Sequence, residues 1–197
     1  MTKLRGQTLV ELLVAMFVIS IGLFAAVGLV YSNLALVDRD TDEVVAVNLA
    51  REGAELAKEA RDSNWLAGNA FDLGLSSGTD VTATPVWDGY ASTNSFDFTT
   101  NSMSDPQAAV VQLTPLGASP GLFANVNTTA GIVGSATLFR RLLEFDSICS
   151  NYSVVSSTTC AASGLTKIGI RAQSQVHWVR KGITKNFTIY SDLYDWR

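Results

Sequence analysis

The strongest pattern in the chain is an uncharged and almost wholly apolar run near its beginning. Residues 12–37 contain no Asp, Glu, Lys or Arg, which is a run of 26 positions. About 20 apolar residues suffice for a helix to cross a bilayer, so the run predicts a membrane-spanning helix. Lys3 and Arg5 precede the run, and this charge bias indicates a cytoplasmic N-terminus.

A helical pattern continues beyond the run, now with one apolar face. Small and apolar residues recur at spacings of four, four, three and four, as on one side of a helix. These residues are Val45, Leu49, Gly53, Leu56 and Ala60. Most neighbouring charges are expected off this face; they are Asp42, Glu52, Glu55, Glu59 and Arg61. A single helix over residues 8–64 would be roughly 85 Å long. We expect its first half in lipid or a fibre core and its second half on a sheet.

Three acids at alternate positions follow the apolar run. Asp38, Asp40 and Asp42 resemble the start of a calcium-binding loop, but that loop needs Gly at its sixth position and Glu at its twelfth. Those positions hold Glu43 and Leu49. The acids are therefore interpreted as the first solvated turns beyond the membrane, and no metal site is predicted.

The middle of the chain, residues 67–135, is rich in Ser, Thr, Asn and Gly and contains all four prolines, which is typical of loops. Short runs of β-type residues at 80–83, 96–99 and 109–113 predict small strands within it. Three aromatic side chains are interpreted as anchors of small apolar cores. They are Trp65, Trp87 and Tyr90.

The C-terminal third, residues 136–197, shows the alternation of β-strands. Residues 136–145 alternate in part, and residues 167–179 predict a strand with one shared face. The side chains on that face are Ile168, Ile170, Ala172, Ser174, Val176 and Trp178. A turn at residues 180–182 and a returning strand at 183–194 complete an antiparallel hairpin. The predicted fold class is α+β, with a long N-terminal helix, apolar in its first half and amphipathic in its second, packed on a C-terminal antiparallel sheet.

Composition and charge argue against catalysis and nucleic-acid binding. With 14 Lys and Arg against 18 Asp and Glu, the formal charge is −4, and no basic surface for a nucleic acid is evident. Arg180, Lys181 and Lys185 are interpreted as a solvated hairpin end. His177 is the one histidine and is expected to be exposed; a lone histidine rarely catalyses without an orienting partner. No enzyme activity and no cofactor are predicted.

The two cysteines, Cys149 and Cys160, have ten residues between them. In a cytosolic protein they would remain reduced. In an exported protein they would close a short loop, which stabilises by roughly 2–3 kcal/mol. The choice depends on the compartment, and the N-terminal segment decides the compartment.

Glu11 distinguishes between interpretations of the N-terminal segment. A secretory signal peptide has an apolar region of about 7–15 residues before a small-residue cleavage site; this run is too long and has no such site near residues 32–36. A plain signal anchor fits the hydropathy but gives no reason for a carboxylate between Val10 and Leu12. A carboxylate deep in a bilayer costs several kcal/mol and usually marks function. A subunit that packs beside identical helices could neutralise it with a neighbour's α-amino group.

The residues that lead to Glu11 resemble a known processing motif. The sequence GQTLVE at residues 6–11, behind a short basic leader, is similar to the prepilin cleavage motif of type IV pilins and type II secretion pseudopilins. The resemblance implies that a membrane aspartic peptidase cuts after Gly6 and methylates the new N-terminus, Gln7. The family most often has Phe after the glycine, where this chain has Gln7.

The same resemblance implies how the subunit assembles. Thr8, Leu9 and Glu11 would take part in assembly, and Glu11 would pair with the N-terminal amine of a neighbouring subunit. Gly22 and Gly28 lie where the helix of assembled family members can stretch. Simple tolerance of glycine in an apolar helix is the alternative.

On this resemblance the chain consists of five segments. They are a leader at 1–6, a transmembrane and assembly segment at 7–37, an amphipathic helix at 38–66, a variable loop and β region at 67–135 and an antiparallel sheet at 136–197, in the lollipop shape of pilins. The subunit would rest in the cytoplasmic membrane with its globular part outside, and then enter a pilus or pseudopilus at the cell surface. Its partners would be other pilin subunits, prepilin peptidase and the assembly platform. In that compartment the two cysteines would pair.

The C-terminal hairpin is similar to that of PilV-like minor pilins and pseudopilins. The residues that carry this likeness are Val176, Trp178, Gly182, Leu193 and Trp196. The likeness favours a minor pilin or pseudopilin. The alternatives are a major pilin and a membrane-anchored extracytoplasmic binding domain that does not polymerise.

Mass spectrometry of the mature protein tests the processing motif. We expect the mature chain to begin at Gln7, with or without an added methyl group, because cleavage would remove residues 1–6 and leave the apolar run in place. A mature chain that begins at Met1, or beyond the apolar run, would contradict the prediction.

Overall fold

The structure is a computed structural model of the chain, and it describes residues 9–75, 81–87, 95–100, 102–113, 123–126, 134–156 and 160–196. Two compact units, Met1–Val44 and Val45–Arg197, follow each other along the chain and are described separately. The predicted α+β class is confirmed, since one long helix precedes a mostly antiparallel sheet.

Helix α1 extends over Leu9–Leu66 and contains 58 residues, close to the predicted span of 8–64. Within the first unit its apolar side chains are exposed on all sides, Phe24 for example by 79%. The hydroxyls of Ser20 and Ser32 donate hydrogen bonds to backbone carbonyls of the preceding turn, at 2.8 and 2.9 Å, so these groups need no water. By length and composition α1 could cross a membrane, with a mean hydropathy of 2.7 over its most apolar window.

The three acids after the apolar run lie on the continuous helix α1 and form no loop. Asp38 and Asp40 are exposed as predicted, but Asp42 is only 7% exposed, so the prediction of a solvated side chain is wrong for Asp42. Residues two apart on a helix point in different directions, which prevents the three carboxylates from converging. Among the described residues no group of three His, Cys, Asp or Glu side chains could hold a metal ion.

The second unit contains one sheet, to which the supposedly loop-like middle region contributes four of the eight strands found among the described residues. The strands are β1 (Thr82–Trp87), β2 (Ser95–Asp97), β3 (Ala109–Leu113), β4 (Phe123–Val126), β5 (Gly134–Cys149), β6 (Val154–Val155), β7 (Lys167–Arg180) and β8 (Ile183–Tyr194). Their order is β2-β1-β4-β3-β5-β7-β8, and β6 lies beside β5. The pair of β1 and β4 is parallel and the others are antiparallel. Because β1 and β3 both pair with β5, the middle region extends the C-terminal sheet.

Strands β7 and β8 form the predicted hairpin. Its turn is at Lys181 and Gly182, whose φ angles are 51° and 78°. Two consecutive positive φ angles match a type I′ turn, whose twist suits paired strands. The ladder continues from Arg180–Ile183 to Gly169–Tyr194 with no shift of register. Of the six β7 side chains predicted to share a face, five are buried and Ile168 is half-buried.

The opposite face of the hairpin is less exposed than its sequence suggests. His177, predicted to be exposed, is half-buried between Arg140 of β5 and Asn186 of β8 in the ladder. This burial lowers the pKa of His177.

Of the basic residues at the hairpin end, Lys181 is solvated, whereas the Nζ atom of Lys185 lies 5.9 Å from the centre of the Trp178 ring.

Within the second unit, residues 45–66 of α1 pack on the sheet through a stripe of mostly small side chains. The buried members are Ala46, Leu49, Ala50, Gly53, Ala54, Ala57 and Arg61. This stripe is rotated from the predicted face, because Val45, Leu56 and Ala60 are only half-buried. Small side chains let the helix backbone approach the sheet closely, and the larger ones flank the contact. Because the buried stripe is rotated from the predicted face, it includes Arg61, which was predicted to lie off that face.

Two apolar clusters hold this helical segment on the sheet. At its beginning, Ala46 and Ala50 pack with Val176 of β7, and Phe187 and Ile189 of β8 lie beside them. Nearer its end, residues centred on Ala57 pack with the other ends of these strands. That second cluster includes Ile170, Ala172 and Leu193. The order of these contacts shows that residues 45–66 run in the same direction as β8.

Gly53 marks the closest approach of α1 to the sheet. A Cβ atom at Gly53 would lie 2.4 Å from the Ser174 Oγ atom and 3.5 Å from the Arg141 Cδ atom. The Ser174 Oγ atom is buried and makes no hydrogen bond among the described contacts. A side chain at position 53 would therefore compete with the Ser174 hydroxyl for the same space.

Replacing Gly53 should reveal this close contact. We expect Gly53→Ala to lower the free energy of unfolding by about 1–2 kcal/mol, because overpacking outweighs the gain of about 1 kcal/mol in helix propensity. Adding Ser174→Ala should recover most of the loss, since it removes the clashing oxygen. Thermal unfolding of the native protein, the two single variants and the double variant measures the coupling in a double-mutant cycle. Additive effects of the two substitutions would show that the residues do not compete for space.

Candidate assembly site

The predicted processing and assembly residues fall at the edge of the described structure. Gly6, Gln7 and Thr8 lie outside the described residues, and Leu9 is the first residue of α1. Glu11 lies in the first described turn of α1. Negative charge near a helix N-terminus is favourable because it faces the positive end of the helix dipole. The helix dipole therefore favours a carboxylate at position 11, whereas the apolar side chains around it offer the charge no partner.

The surroundings of Glu11 are apolar and exposed. Leu9, Val10, Leu12 and Leu13 are each more than half exposed, and Glu11 is exposed among them. Within the described part of the chain no cation pairs with Glu11; further along α1, Arg39 pairs with Glu43 at 3.3 Å. Glu11 is thus a single carboxylate on an exposed apolar surface. A neighbouring helix or lipid that covers this surface must also accommodate the charge.

Gly22 and Gly28 lie in the same exposed segment. The helix passes through both without interruption, and a Cβ atom at either position would meet nothing within 4 Å. The described residues therefore give no packing reason for these glycines. The prediction that they mark a stretchable segment stays a prediction.

A buried arginine joins α1 to the sheet in the second unit. Arg141 of β5 is 2% exposed at its side chain, and its guanidinium donates to Glu52 Oε2 at 2.9 Å and to the Leu49 carbonyl at 3.2 Å. It also donates to Asn125 Oδ1 at 2.9 Å. Burial lowers the pKa of Arg141, and the charge of Glu52 opposes that shift. The guanidinium therefore connects the helix, β5 and β4 in one polar contact.

Asn125 completes this contact from the other side. Its Nδ2 atom lies within 3.1 to 3.2 Å of the backbone carbonyls of Gln107, Ala108 and Ala109, which fixes the direction of the amide. Its oxygen is then free to accept from Arg141. Neither residue was predicted from the sequence. One signal was available, since Arg141 stands at an inward position of β5 between the buried residues Phe139 and Leu143.

The end of α1 is held by aromatic and charged side chains. The guanidinium of Arg61 lies 4.6 Å from the Trp65 ring centre and 5.8 Å from that of Trp196, and Arg61 also pairs with Asp62 at 2.6 Å. Trp65 packs against the apolar cluster around Ala57, as expected of a core anchor. The side chain of Trp87 and the whole of Tyr90 lie outside the described residues.

The cysteines are joined in the structure. Cys149, at the end of β5, forms a disulfide with Cys160, and their Cα atoms are 5.5 Å apart. The bond closes the turn that contains β6, in which the Cys149 backbone N–H donates to the Ser153 carbonyl at 2.9 Å. Such a bond persists in an oxidising compartment, which fits a domain outside the cytoplasm.

Comparison with known proteins addresses the N-terminal segment. The family model described as the prokaryotic N-terminal methylation motif matches residues 1–27, which include Gly6, Gln7 and Glu11. This motif is the signature of type IV pilins and pseudopilins, so the chain carries the signature of a pilin-like precursor. The signature belongs to structural subunits and implies processing by prepilin peptidase and assembly with other pilins. No curated protein and no solved structure matches the chain.

Replacing Glu52 tests the polar contact at Arg141. We expect Glu52→Ala to lower the free energy of unfolding by about 2–3 kcal/mol, because it leaves the buried guanidinium without its counter-charge. The expected loss is below that for a fully buried pair, since the Glu52 side chain is 44% exposed and water screens the pair.

Glu59→Ala is the matched control for this prediction. Glu59 is an exposed acid on the same helix, and its replacement should change stability by less than about 0.5 kcal/mol. Chemical unfolding followed by tryptophan fluorescence measures both variants. Equal effects of the two substitutions would show that Arg141 does not depend on Glu52.

Proposed function

We propose that this protein is a structural subunit of a type IV pilus or pseudopilus, most simply a minor pilin or pseudopilin. The observation that carries the proposal is Glu11 on an exposed apolar helix, within the residues that match the methylation motif. Prepilin peptidase cuts the precursor after Gly6, and the mature chain begins at Gln7, which is the candidate for methylation.

The exposed apolar surface of α1 explains why the subunit has two environments. Nearly every large apolar side chain between residues 9 and 37 is more than half exposed, and water would oppose such exposure at roughly 25 cal/mol per Å². The cytoplasmic membrane covers this surface before assembly. The helices of neighbouring subunits cover it in the filament. The same surface thus anchors the subunit first and then supplies cohesion.

Glu11 gives the filament its register. An unpaired carboxylate among apolar helices costs several kcal/mol, whereas one that faces a cation is neutralised. Cleavage at Gly6 creates such a cation, the α-amino group of Gln7 in an adjoining copy. Only one axial offset between neighbouring helices places that ammonium beside Glu11, so the pair selects the offset while apolar packing supplies the attraction.

Gly22 and Gly28 support close packing of neighbouring helices. Both positions face open space in the single chain, and small residues let membrane helices approach each other. Glycine also weakens a helix by about 1 kcal/mol relative to Ala, so the segment between them is where α1 stretches when the subunit leaves the membrane.

The second unit is the part of the subunit outside the cytoplasm. The disulfide at Cys149 and Cys160 fits that compartment, and the fixation of residues 45–66 on the sheet ties the unit to its assembly helix. The partners are other pilin subunits, prepilin peptidase and the pilus or secretion platform. A minor subunit should be scarce in filaments sheared from cells, and a major pilin should be abundant there.

Removing the charge of Glu11 separates this proposal from a plain membrane anchor. We expect Glu11→Gln to insert into the membrane normally and to reduce the amount incorporated into filaments at least about tenfold, since 1.4 kcal/mol of lost pairing is already tenfold. Immunoblotting of membrane and sheared fractions measures both quantities.

Glu55→Gln is the matched control for the Glu11 variant. Glu55 is an exposed acid further along α1, and its replacement should leave incorporation unchanged. Normal incorporation of Glu11→Gln would instead favour a membrane-anchored binding domain that never polymerises.

A further inference from the structure

Strand β8 forms one edge of the sheet, and no other described strand pairs with its outer side. It pairs with β7 on one side and stands last in the strand order. All 12 of its residues pair with β7, which makes this the longest ladder among the described strands, and it has no bulge. The described strand at the opposite edge, β2, has only three residues. The two edges are therefore unequal, and only β8 offers a long row of backbone groups.

The ladder shows which backbone groups of β8 point outwards. The Asp195 N–H donates to the Ile168 carbonyl at 2.9 Å, and these residues continue the register of the hairpin. In an antiparallel ladder, hydrogen-bonded pairs alternate with pairs whose N–H and C=O groups point away. The outward groups therefore belong to even-numbered residues, among them Asn186, Thr188 and Tyr190.

Lys185 lies near the beginning of β8, but the centre of the strand lacks the features by which proteins protect such edges. Natural edges are blocked by proline, lysine, bulges or short length. Residues 186–191 contain no proline and no charge. Asp192, at one end of this stretch, is held by Arg171 through bonds of 2.7 and 2.8 Å. The centre of β8 thus remains a regular, uncharged template for a further strand.

Side chains at the same edge are incompletely covered. Phe187 and Ile189 face the helix side of the sheet and are only half-buried beside the cluster around Ala50. Another strand at this edge would place its own side chains of the same face next to them. Apolar residues at alternate positions of that strand would complete their burial.

An antiparallel pair of β8 strands from two copies conflicts with the proposed function, on which this step rests. Residues 45–66 of α1 run in the same direction as β8. Antiparallel pairing of two β8 strands would therefore turn these helical segments in opposite directions. Subunits that share one membrane or one filament need their helices in the same direction.

A parallel pair of β8 strands is also unsuitable. The twofold axis of such a pair lies along the strands, so the two helical segments would lie on opposite faces of the joined sheet. A layer of about 10 Å on each side would separate the helices by roughly 20 Å, whereas packed helices are about 8–10 Å apart. The helices of such a pair could not pack together in a filament core.

We propose that the β8 edge takes up an extended strand of a different protein, by addition to the sheet. The outward N–H and C=O groups of Asn186, Thr188 and Tyr190 bind the main chain of that strand. The half-buried Phe187 and Ile189 select apolar side chains at its alternate positions. The partner segment is uncharged at its centre, because residues 186–191 offer no charge to pair with.

A proline at position 188 tests the edge without disturbing the ladder to β7. The probe is a fluorescent, capped peptide of alternating threonine and valine with a lysine at each end, added to the full-length protein in detergent micelles. We expect saturable binding to the native protein and slower hydrogen exchange of the Thr188 and Tyr190 amides. Thr188→Pro removes one outward N–H and should weaken binding at least about tenfold.

Thr188→Val is the matched control, because it keeps both the N–H group and the shape of the side chain. Its affinity should stay within about twofold of the native value. Circular dichroism checks the fold of the proline variant, and Tyr190→Pro replaces it if Thr188→Pro does not fold, since the Tyr190 N–H also points outwards.

Three results would overturn the proposal. They are the absence of saturable binding, equal binding by the proline variants, and a dimer of the native protein that dissociates on Thr188→Pro, which would make a second copy the occupant. None of these measurements depends on cleavage or on Glu11, so a failure here is distinct from a failure of the pilin proposal.

Discussion

One physical constraint governs this protein: a long apolar helical segment, left exposed by the described residues, carries a single carboxylate near its beginning. Neither water nor lipid alone suits that combination, because water opposes the exposed apolar side chains and lipid opposes the charge at Glu11. A set of identical helices, each with a free ammonium at its N-terminus, satisfies both requirements. The chain carries the methylation motif over residues 1–27, and on the proposed function cleavage after Gly6 would create that ammonium.

The second unit is constructed so that its own helical segment cannot detach easily from the sheet. A stripe of alanines and Gly53 brings the helix backbone close, and the guanidinium of Arg141 reaches from the sheet to the Leu49 carbonyl and Glu52. Apolar packing supplies most of the attraction, while the arginine and Asn125 fix the position along the helix. On the proposed function, force applied along α1 reaches residues 45–66, and these contacts keep the sheet attached to that segment.

The predictable parts of this fold are those with local patterns. The charge-free run and its amphipathic continuation indicated α1, and the alternation around Gly182 indicated the β7–β8 hairpin. The middle strands were less visible because strands of three to six residues, set in a region rich in Ser and Thr, look like loops until distant partners pair with them. The face of residues 45–66 that packs on the sheet was predicted incorrectly. The periodicity of large apolar residues suggested one face, whereas alanines make the closest contact with the sheet. Arg141 and Asn125 were missed because their meaning depends on contacts between residues far apart in the chain.

The central claim concerns two atoms in different copies, the Gln7 nitrogen and the Glu11 carboxyl carbon. Filaments assembled from a mixture of subunits, one set labelled with ¹⁵N at Gln7 and the other with ¹³C at the Glu11 carboxyl, allow that distance to be measured by solid-state NMR. We predict a dipolar coupling that corresponds to an ion pair, with nitrogen and oxygen within about 4 Å. Filaments that form normally but show no coupling between the two sets would contradict the account.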